Sequence, residues 1–367
     1  MPLNKAVSLH PKEEAVLAAL SGRVRHAFVT GAGGFLGLAL TQRLLSAGIK
    51  VTGFARGAYP EVAALGATML QGDLANKDQV IQAMQGCDIV FHVASKAGVW
   101  GDRDSYFCPN VKGAANVLAG CKAHGISRLV YTSTPSVTFA GMDESGIDES
   151  TPYAARFLNY YAHSKAIAEK MMLDANHSQV NTPTIEEGNG STQVRMKTVA
   201  LRPHLIWGPK DPHLVPRVLA RGRKGKLKLV GNEDKLVDTI YVDNAAYAHL
   251  LAALELCQDS PRCAGKAYFL SNDEPVTMAS MLNRILACDN LPPVTQRVPT
   301  AVAYVIGAIL EAGYRLLGKQ QEPLMTRFVA KQLSCSHYFN ISAAKRDFDY
   351  QALVSLDEGM VRLKASL

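Results

Sequence analysis

Residues 26–37 read His26-Ala27-Phe28-Val29-Thr30-Gly31-Ala32-Gly33-Gly34-Phe35-Leu36-Gly37. Five residues of β-strand character pass straight into a glycine-rich turn, and an apolar helical run opens at Phe35. In that setting each glycine has a task. Gly31 permits a tight turn, Gly34 lets backbone come close to a pyrophosphate, and Gly37 lets helix and strand pack closely, while the helix N-terminus attracts phosphate charge. Gly31, Gly33, Gly34, Phe35, Leu36 and Gly37 are therefore candidate cofactor contacts.

Outward from this turn, strand and helix patterns alternate. His26–Thr30, Lys50–Phe54, Ala67–Leu70, Asp88–Val93, Arg128–Ser133 and Lys197–Arg202 read as strands. Phe35–Ala47, Lys77–Gln85, Ser105–Ala123 and Arg156–Leu173 read as helices. Alternation of this kind predicts βαβ units around a parallel sheet, an α/β Rossmann-type doubly wound fold. Residues 25–203 are expected to form the dinucleotide-binding domain, with a polar surface insertion at about 177–196. Residues 204–367, broken by Pro209, Pro212 and Pro216, are expected to be mainly a smaller substrate-binding lobe, with 237–271 returning to the sheet.

About 20 residues beyond the turn, an NAD-binding fold places an acid against the ribose 2′-hydroxyl. Here Ala55 and Arg56 stand at that point. An arginine pairs with a 2′-phosphate that a carboxylate would repel, so NADPH/NADP+ is expected over NAD. Asp73, with Leu74 beside it, can accept from the adenine amino group. Ala94 and Ser95, followed by Lys96, end a strand at the carboxyl edge of the sheet, where dinucleotides lie.

A second motif is Tyr161-Ala162-His163-Ser164-Lys165. Residues four apart share a helical face, so Tyr161 and Lys165 can meet in one pocket. The cation is expected to lower the tyrosine pKa toward working pH and make it a proton donor and acceptor. His163 and Ser164 point elsewhere and are read as spectators. Thr132-Ser133-Thr134-Pro135-Ser136 brings hydroxyls to the same edge.

Glycine turn, hydroxyl after the fifth strand and YxxxK together resemble the extended short-chain dehydrogenases/reductases, over roughly residues 25 to 365. Leu201-Arg202-Pro203-His204-Leu205-Ile206-Trp207-Gly208-Pro209 and Tyr241-Val242-Asp243-Asn244, with the tail segments Thr326-Arg327-Phe328 and Tyr338-Phe339-Asn340-Ile341, narrow the resemblance to the 3β-hydroxysteroid dehydrogenase-like branch. With His92 to Gly101 included, the pattern is similar to the bacterial 2-alkyl-3-oxoalkanoate reductases of olefinic hydrocarbon biosynthesis. The resemblance implies NADPH-dependent reduction of the 3-keto group of a long-chain 2-alkyl-3-oxoalkanoic acid. It implies Tyr161, Lys165 and Thr134 as the catalytic set, with Ser133 and Ser136 one or two residues from the Thr134 assignment. It also implies Asn110 as anchor of a relay or helix bend, and Pro203, Leu205 and Ile206 as further cofactor contacts. Trp100, Thr134, Ser136, His204 and Trp207 are candidate substrate contacts, and Lys96, His204, Arg217 and Arg327 are candidate grips for a carboxylate. A homodimer, packed through 105–123 and 156–173, and association with other olefin-pathway enzymes are implied as well. The rival readings are an NAD-dependent 3β-hydroxysteroid or sterol-4-carboxylate 3-dehydrogenase, a nucleotide-sugar epimerase, and a non-catalytic dinucleotide sensor.

Composition narrows the field further. The chain has 367 residues, 48% apolar and 19% charged, which excludes a disordered or fibrous protein. A formal net charge of +7 favours anionic ligands, but the basic residues form no dense stripe interleaved with aromatics, so no nucleic-acid partner is expected. Seven scattered cysteines suit a reducing cytoplasm and form no zinc pattern, so no metal is expected. Glu13 and Glu14 interrupt any export signal, and residues 1–24 are expected to be a leader with a short helix. Asp243 and Asn244 are expected to cap the next helix. The apolar segment 299–317 is too short for a membrane anchor; core packing, a wall for a greasy substrate and a membrane-facing patch all remain open for it.

Overall fold

The computed structural model describes residues 9–183 and 191–367. Its centre is a seven-stranded, wholly parallel sheet. The strands are β1 (His26–Thr30), β2 (Lys50–Ala55), β3 (Thr68–Gln71), β4 (Ile89–His92), β5 (Arg128–Thr132), β6 (Lys197–Pro203) and β7 (Lys266–Leu270), in the order β7-β6-β5-β4-β1-β2-β3. The strand order reverses between β1 and β4, and the crevice at their carboxyl ends is where such sheets take ligands. β7 lies far along the chain yet pairs at the edge of the sheet, Lys266 opposite Val199 through Leu270 opposite Pro203.

Helices cover both faces. On one side α1 (Pro11–Ser21) and α2 (Phe35–Ser46) pack with the long helix Val242–Leu256. The short helix expected within residues 1–24 is α1, and its Leu17 and Leu20 are core residues. Buried Glu13 explains why: it accepts from Arg43 Nε of α2 at 2.5 Å, while Arg43 Nη2 lies 2.9 Å from Asp243 and Nη1 donates to the Ala39 carbonyl. Asp243 is therefore an ion-pair partner and not a helix cap. Asn244 is no cap either; it is buried, donates to Asn272 Oδ1 and to the Val354 carbonyl, and ties the carboxyl-terminal segment to the sheet.

The other face carries α3 (Lys77–Ala83), α4 (Gly113–His124) and α5 (Tyr160–Asp174). The helix expected over 105–123 is broken in the structure into Arg103–Phe107, a π-turn Cys108–Lys112, and α4. The helix expected from Arg156 starts at Tyr160, because the Asn159 side chain accepts from the Ala162 amide and caps it there. Part of the expected insertion is ordered as an antiparallel pair, Gln179–Pro183 with Ser191–Arg195, which seats Val180 in the core; residues 184–190 lie outside the described residues.

Several helices and a four-stranded sheet of short strands lie over the carboxyl edge; one of those strands, Glu144–Ile147, comes before β6 in the chain and the other three beyond it. The apolar segment near residue 300 becomes α6 (Thr300–Leu316). Only a narrow stripe, Ala303, Gly307 and Glu311, is buried; a Cβ on Gly307 would sit 2.7 Å from the Thr326 backbone, so its absence lets the next helix, Arg327–Ser334, come close. Val302, Val305, Ile306 and Ile309 face outward. Core packing therefore accounts for one stripe of α6 alone. No described helix is long and apolar enough to cross a membrane.

Arg43→Ala strands the buried Glu13 carboxylate, and removing one partner of a buried pair costs about 3–5 kcal/mol. The expected outcome in urea unfolding is a lower midpoint at an unchanged slope.

Candidate active site

A cleft of about 880 Å³ opens over the carboxyl ends of β1, β4, β5 and β6. Its floor is the glycine turn. Gly31 adopts φ +70°, and a Cβ on Gly37 would lie 2.0 Å from the Gly31 carbonyl oxygen, so neither position accepts an ordinary side chain without rebuilding the turn. The first amide of α2 that finds a carbonyl within the helix is Leu38, on Gly34, and Gly34 supplies no capping side chain. The amides of Phe35, Leu36 and Gly37 therefore have no intrahelical partner, and all three residues line the cleft. A bare helix N-terminus with its cradle kept clear of side chains fits a dinucleotide pyrophosphate.

Most expected cofactor residues meet on this wall: Gly31, Gly34, Phe35, Leu36, Gly37, Arg56, Asp73, Leu74, Ala94, Ser95, Lys96, Pro203, Leu205 and Ile206. Gly33 does not. The ring of Tyr59 covers it, only 2.2 Å from where a Cβ would be. Tyr59 itself lines the cleft beside Arg56, and the motif reading missed it. An aromatic three residues after the arginine that ends β2 was the available signal. Arg56 is exposed and its side chain makes no ion pair among the described residues.

Thr134, Ser136 and Tyr161 share the cleft's other wall. The Thr134 hydroxyl donates to Ser136 Oγ at 3.3 Å and accepts from the Ser136 amide. Burial raises the Tyr161 pKa, and the neighbouring Thr134 hydroxyl works in the opposite direction. The expected lowering of that pKa is thus not the net result. Lys165 explains part of this: its ammonium is turned onto the Thr132 carbonyl at 2.6 Å and sits 4.1 Å from the centre of the Tyr131 ring. Burial brings Lys165 down to about 7, against a smaller opposing pull from Glu169. His92 is pushed down to about 3, first by burial and then by the Lys165 charge. His92 Nδ1 and the Thr30 hydroxyl share a hydrogen bond of 2.8 Å, and the same hydroxyl accepts from the Ala94 amide, so the end of β4 is pinned to β1.

Asn110 sits in the π-turn, behind the cleft. Its Oδ1 accepts from the Lys96 amide at 2.7 Å, and its Nδ2 donates to the Lys96 carbonyl and to Ser164 Oγ. Ser164 is therefore more than a spectator: it is buried and joins the YxxxK helix to the loop after β4. His163 stacks on Phe157, away from the cleft. Glu169 on the same helix pairs with Arg202 of β6 and accepts from Tyr153, fixing α5 to the sheet.

The two tryptophans depart from expectation. Trp207 is fully buried, donates to Thr239 Oγ1 and packs on Tyr241, so it faces the core and cannot touch substrate. Trp100 stands outside the cleft wall, donating to the Lys319 carbonyl with its edge on Tyr314. His204 lies on the wall, between Pro203 and Leu205.

Residues 28–291 match the 3-beta hydroxysteroid dehydrogenase/isomerase family model. The chain belongs to that family. It is 76% identical over 361 residues to a 2-alkyl-3-oxoalkanoate reductase of Shewanella oneidensis, covering 98% of this chain and 91% of the relative. Identity is 47% to one of the same name from Stenotrophomonas maltophilia, over 92% of this chain and 98% of that one. A sterol-4-alpha-carboxylate 3-dehydrogenase (decarboxylating) of Mus musculus is 33% identical, over 91% and 88%. Among solved structures, the Thermus thermophilus UDP-glucose 4-epimerase complex with NAD superposes with a TM-score of 0.65 at 23% identity, over 93% of this chain and 98% of that one, which shows the shared fold. The family is one of NAD(P)-dependent oxidoreductases.

The Lys165 shift predicts a pH dependence of stability in the cofactor-free protein. Between pH 7 and the ordinary lysine value of 10.5, the unfolded chain holds a proton that the folded one has released. Stability relative to Lys165→Met should therefore rise with pH across that window, with the full penalty of the buried charge below it. Urea titrations of both proteins at about pH 6.5 and pH 9 check the sign.

Proposed function

We propose that the protein reduces the 3-keto group of a long-chain 2-alkyl-3-oxoalkanoic acid to the secondary alcohol, with NADPH as reductant. The observation that carries it is Tyr161 beside Thr134 on the wall facing the glycine cradle, in a chain 76% identical to a reductase of that name. The nicotinamide, when bound, supplies the hydride for the carbonyl carbon. The Tyr161 hydroxyl gives its proton to the carbonyl oxygen, and the Thr134 hydroxyl donates a hydrogen bond to the same oxygen. Two fixed donors there stabilise charge that develops only in the transition state. Lys165, whose ammonium rests on the Thr132 carbonyl behind the cleft wall, reaches the nicotinamide ribose only by turning from that carbonyl when the dinucleotide binds, and Asn110 keeps the Lys96 loop and the YxxxK helix in register.

NADPH over NADH rests on Arg56, a free guanidinium at the end of β2 with no acid next to it. Residues 25–203 and the β7 segment make the cofactor half of the molecule in this reading, and the segments over the carboxyl edge make the substrate half. A cytoplasmic homodimer, associated with other olefin-pathway enzymes, belongs to the same proposal; light scattering of the purified protein tests the dimer.

Tyr161→Phe should lower turnover by ~10²–10⁴-fold or more while NADPH affinity stays close to wild type, since general acid catalysis is what it removes. Retained turnover would end the assignment. Arg56→Ala should weaken NADPH binding by about 10- to 100-fold and leave NADH binding nearly unchanged, the loss of a hydrogen-bonded charge pair. Cofactor titrations by protein fluorescence give both numbers.

A further inference from the structure

We infer that His204, held by Asp238, is the subsite for the substrate's carboxylate; this rests on the reading of the cleft as that of a 3-oxo acid reductase. The cations near the cleft are not equally available. Arg217 is committed to Glu322 through two parallel hydrogen bonds of 3.0 and 2.8 Å. Arg327 gives its amide and its guanidinium to Glu311. Lys96 lays its ammonium over the Tyr106 ring, 4.7 Å from the centroid, and Arg56 stands at the other end of the cleft with the glycine turn.

His204 is different. It lines the cleft, is 6% exposed, and has one nitrogen already assigned. Nδ1 lies 2.8 Å from Asp238 Oδ1, and the other Asp238 oxygen accepts the Phe339 amide at 2.9 Å. Asp238 is 1% exposed, so this carboxylate is fixed on both oxygens and can hold the ring only as an Nδ1–H donor. The edge of the His204 ring is braced by Phe339, 5.0 Å away and nearly perpendicular. That leaves Nε2, which has no hydrogen-bond partner among the described residues.

A neighbouring histidine shows the contrast. His337, 6.0 Å from His204 between ring centres, has both nitrogens engaged, with Glu144 at 3.5 Å and the Gln332 carbonyl at 3.0 Å. His204 alone of the two has a nitrogen to offer a ligand. With a proton on Nε2, the ring presents a charged donor to an acidic ligand while Asp238 balances the charge from behind. Asp238 is thus a positioning residue and His204 the contact. The subsite selects a 3-oxo or 3-hydroxy acid over the uncharged ketone or ester of the same chain.

The test is calorimetric titration of NADPH-saturated protein with a long-chain 2-alkyl-3-hydroxy acid and, separately, its methyl ester. The alcohol and the reduced cofactor cannot react, so binding is read without turnover. Wild type should bind the acid ~10- to 100-fold more tightly than the ester. In His204→Gln that ratio should fall toward one, in Asp238→Asn it should fall part of the way, and in Lys96→Met it should persist. NADPH binding reports that His204→Gln and Asp238→Asn are folded, and a wild-type circular dichroism spectrum and urea midpoint report it for Lys96→Met. Equal affinity of wild type for acid and ester, or an unchanged ratio in His204→Gln, overturns the subsite. So does a ratio lost in Lys96→Met and kept in His204→Gln. Separate assay of NADPH oxidation with the 3-oxo acid distinguishes the two levels: turnover without acid selectivity defeats the subsite alone, and no turnover defeats the reductase reading.

Discussion

The contact between Gly37 and the Gly31 carbonyl is the constraint from which the site follows. There is room for backbone and nothing more: a single Cβ would arrive 2.0 Å from that oxygen. The closeness lets α2 start directly over the end of β1, without a capping side chain between helix and cleft. Three amides are then left for an anion, and the macrodipole of a 12-residue helix points the same way. Everything that surrounds the cradle is fastened to β1. Thr30, the last residue before the turn, holds His92, and through the Ala94 amide it sets the path of the loop that carries Ser95 and Lys96.

The fold was legible in the chain because its signals are local. Strand and helix patterns alternate at the lengths a parallel sheet demands, and the six strands read from sequence match those observed to within one residue at each end. The seventh, Lys266–Leu270, was expected only as part of the segment 237–271 returning to the sheet, and pattern alone set no bounds for it, since its partner Val199 lies 67 residues away. Helix ends were harder for a different reason. Asn159 stops α5 at Tyr160 by one side-chain hydrogen bond, and the π-turn at Cys108–Lys112 exists because Asn110 answers to Lys96 and Ser164. Both are decided by tertiary partners.

The same division runs through the site. Residues whose part depends on backbone position, Gly31 and Ala94 read from the motifs and Leu205 from the family resemblance, all line the cleft. Residues whose part depends on where a side chain turns were not so legible. Trp207 and His204 stand three apart in one motif, yet Trp207 turns to Thr239 in the core, while His204, bonded to Asp238, lines the cleft. Lys165 is the sharpest case. Helical spacing put it near Tyr161, but its ammonium is spent on the Thr132 carbonyl and burial holds it near 7, so Tyr161 does not have the permanently charged neighbour that spacing suggested. Net charge is resolved in a similar way. Of the cations weighed for a carboxylate, Arg217 and Arg327 serve glutamates that fasten α6 and its neighbours, and what remains for ligands is small and placed.

A 3-oxo acid poses a chemical problem that the proposed arrangement answers. Hydrogen-bond donors at the keto oxygen, such as Tyr161 and Thr134, assist hydride addition, since negative charge grows on that oxygen. They assist loss of carbon dioxide for the same reason, because the electron pair released from the carboxylate also ends on the keto oxygen. Donors there cannot favour one outcome over the other. A cation on the carboxylate can. Negative charge leaves the carboxylate during decarboxylation but stays on it during reduction, so a charged donor at the proposed subsite raises the barrier to the first and leaves the second almost untouched. Asp238 fixes the orientation of the His204 ring by one buried hydrogen bond. The two walls then divide the work: Tyr161 and Thr134 make the carbonyl reactive, and His204 with Asp238 keeps the acid an acid until the hydride has been transferred.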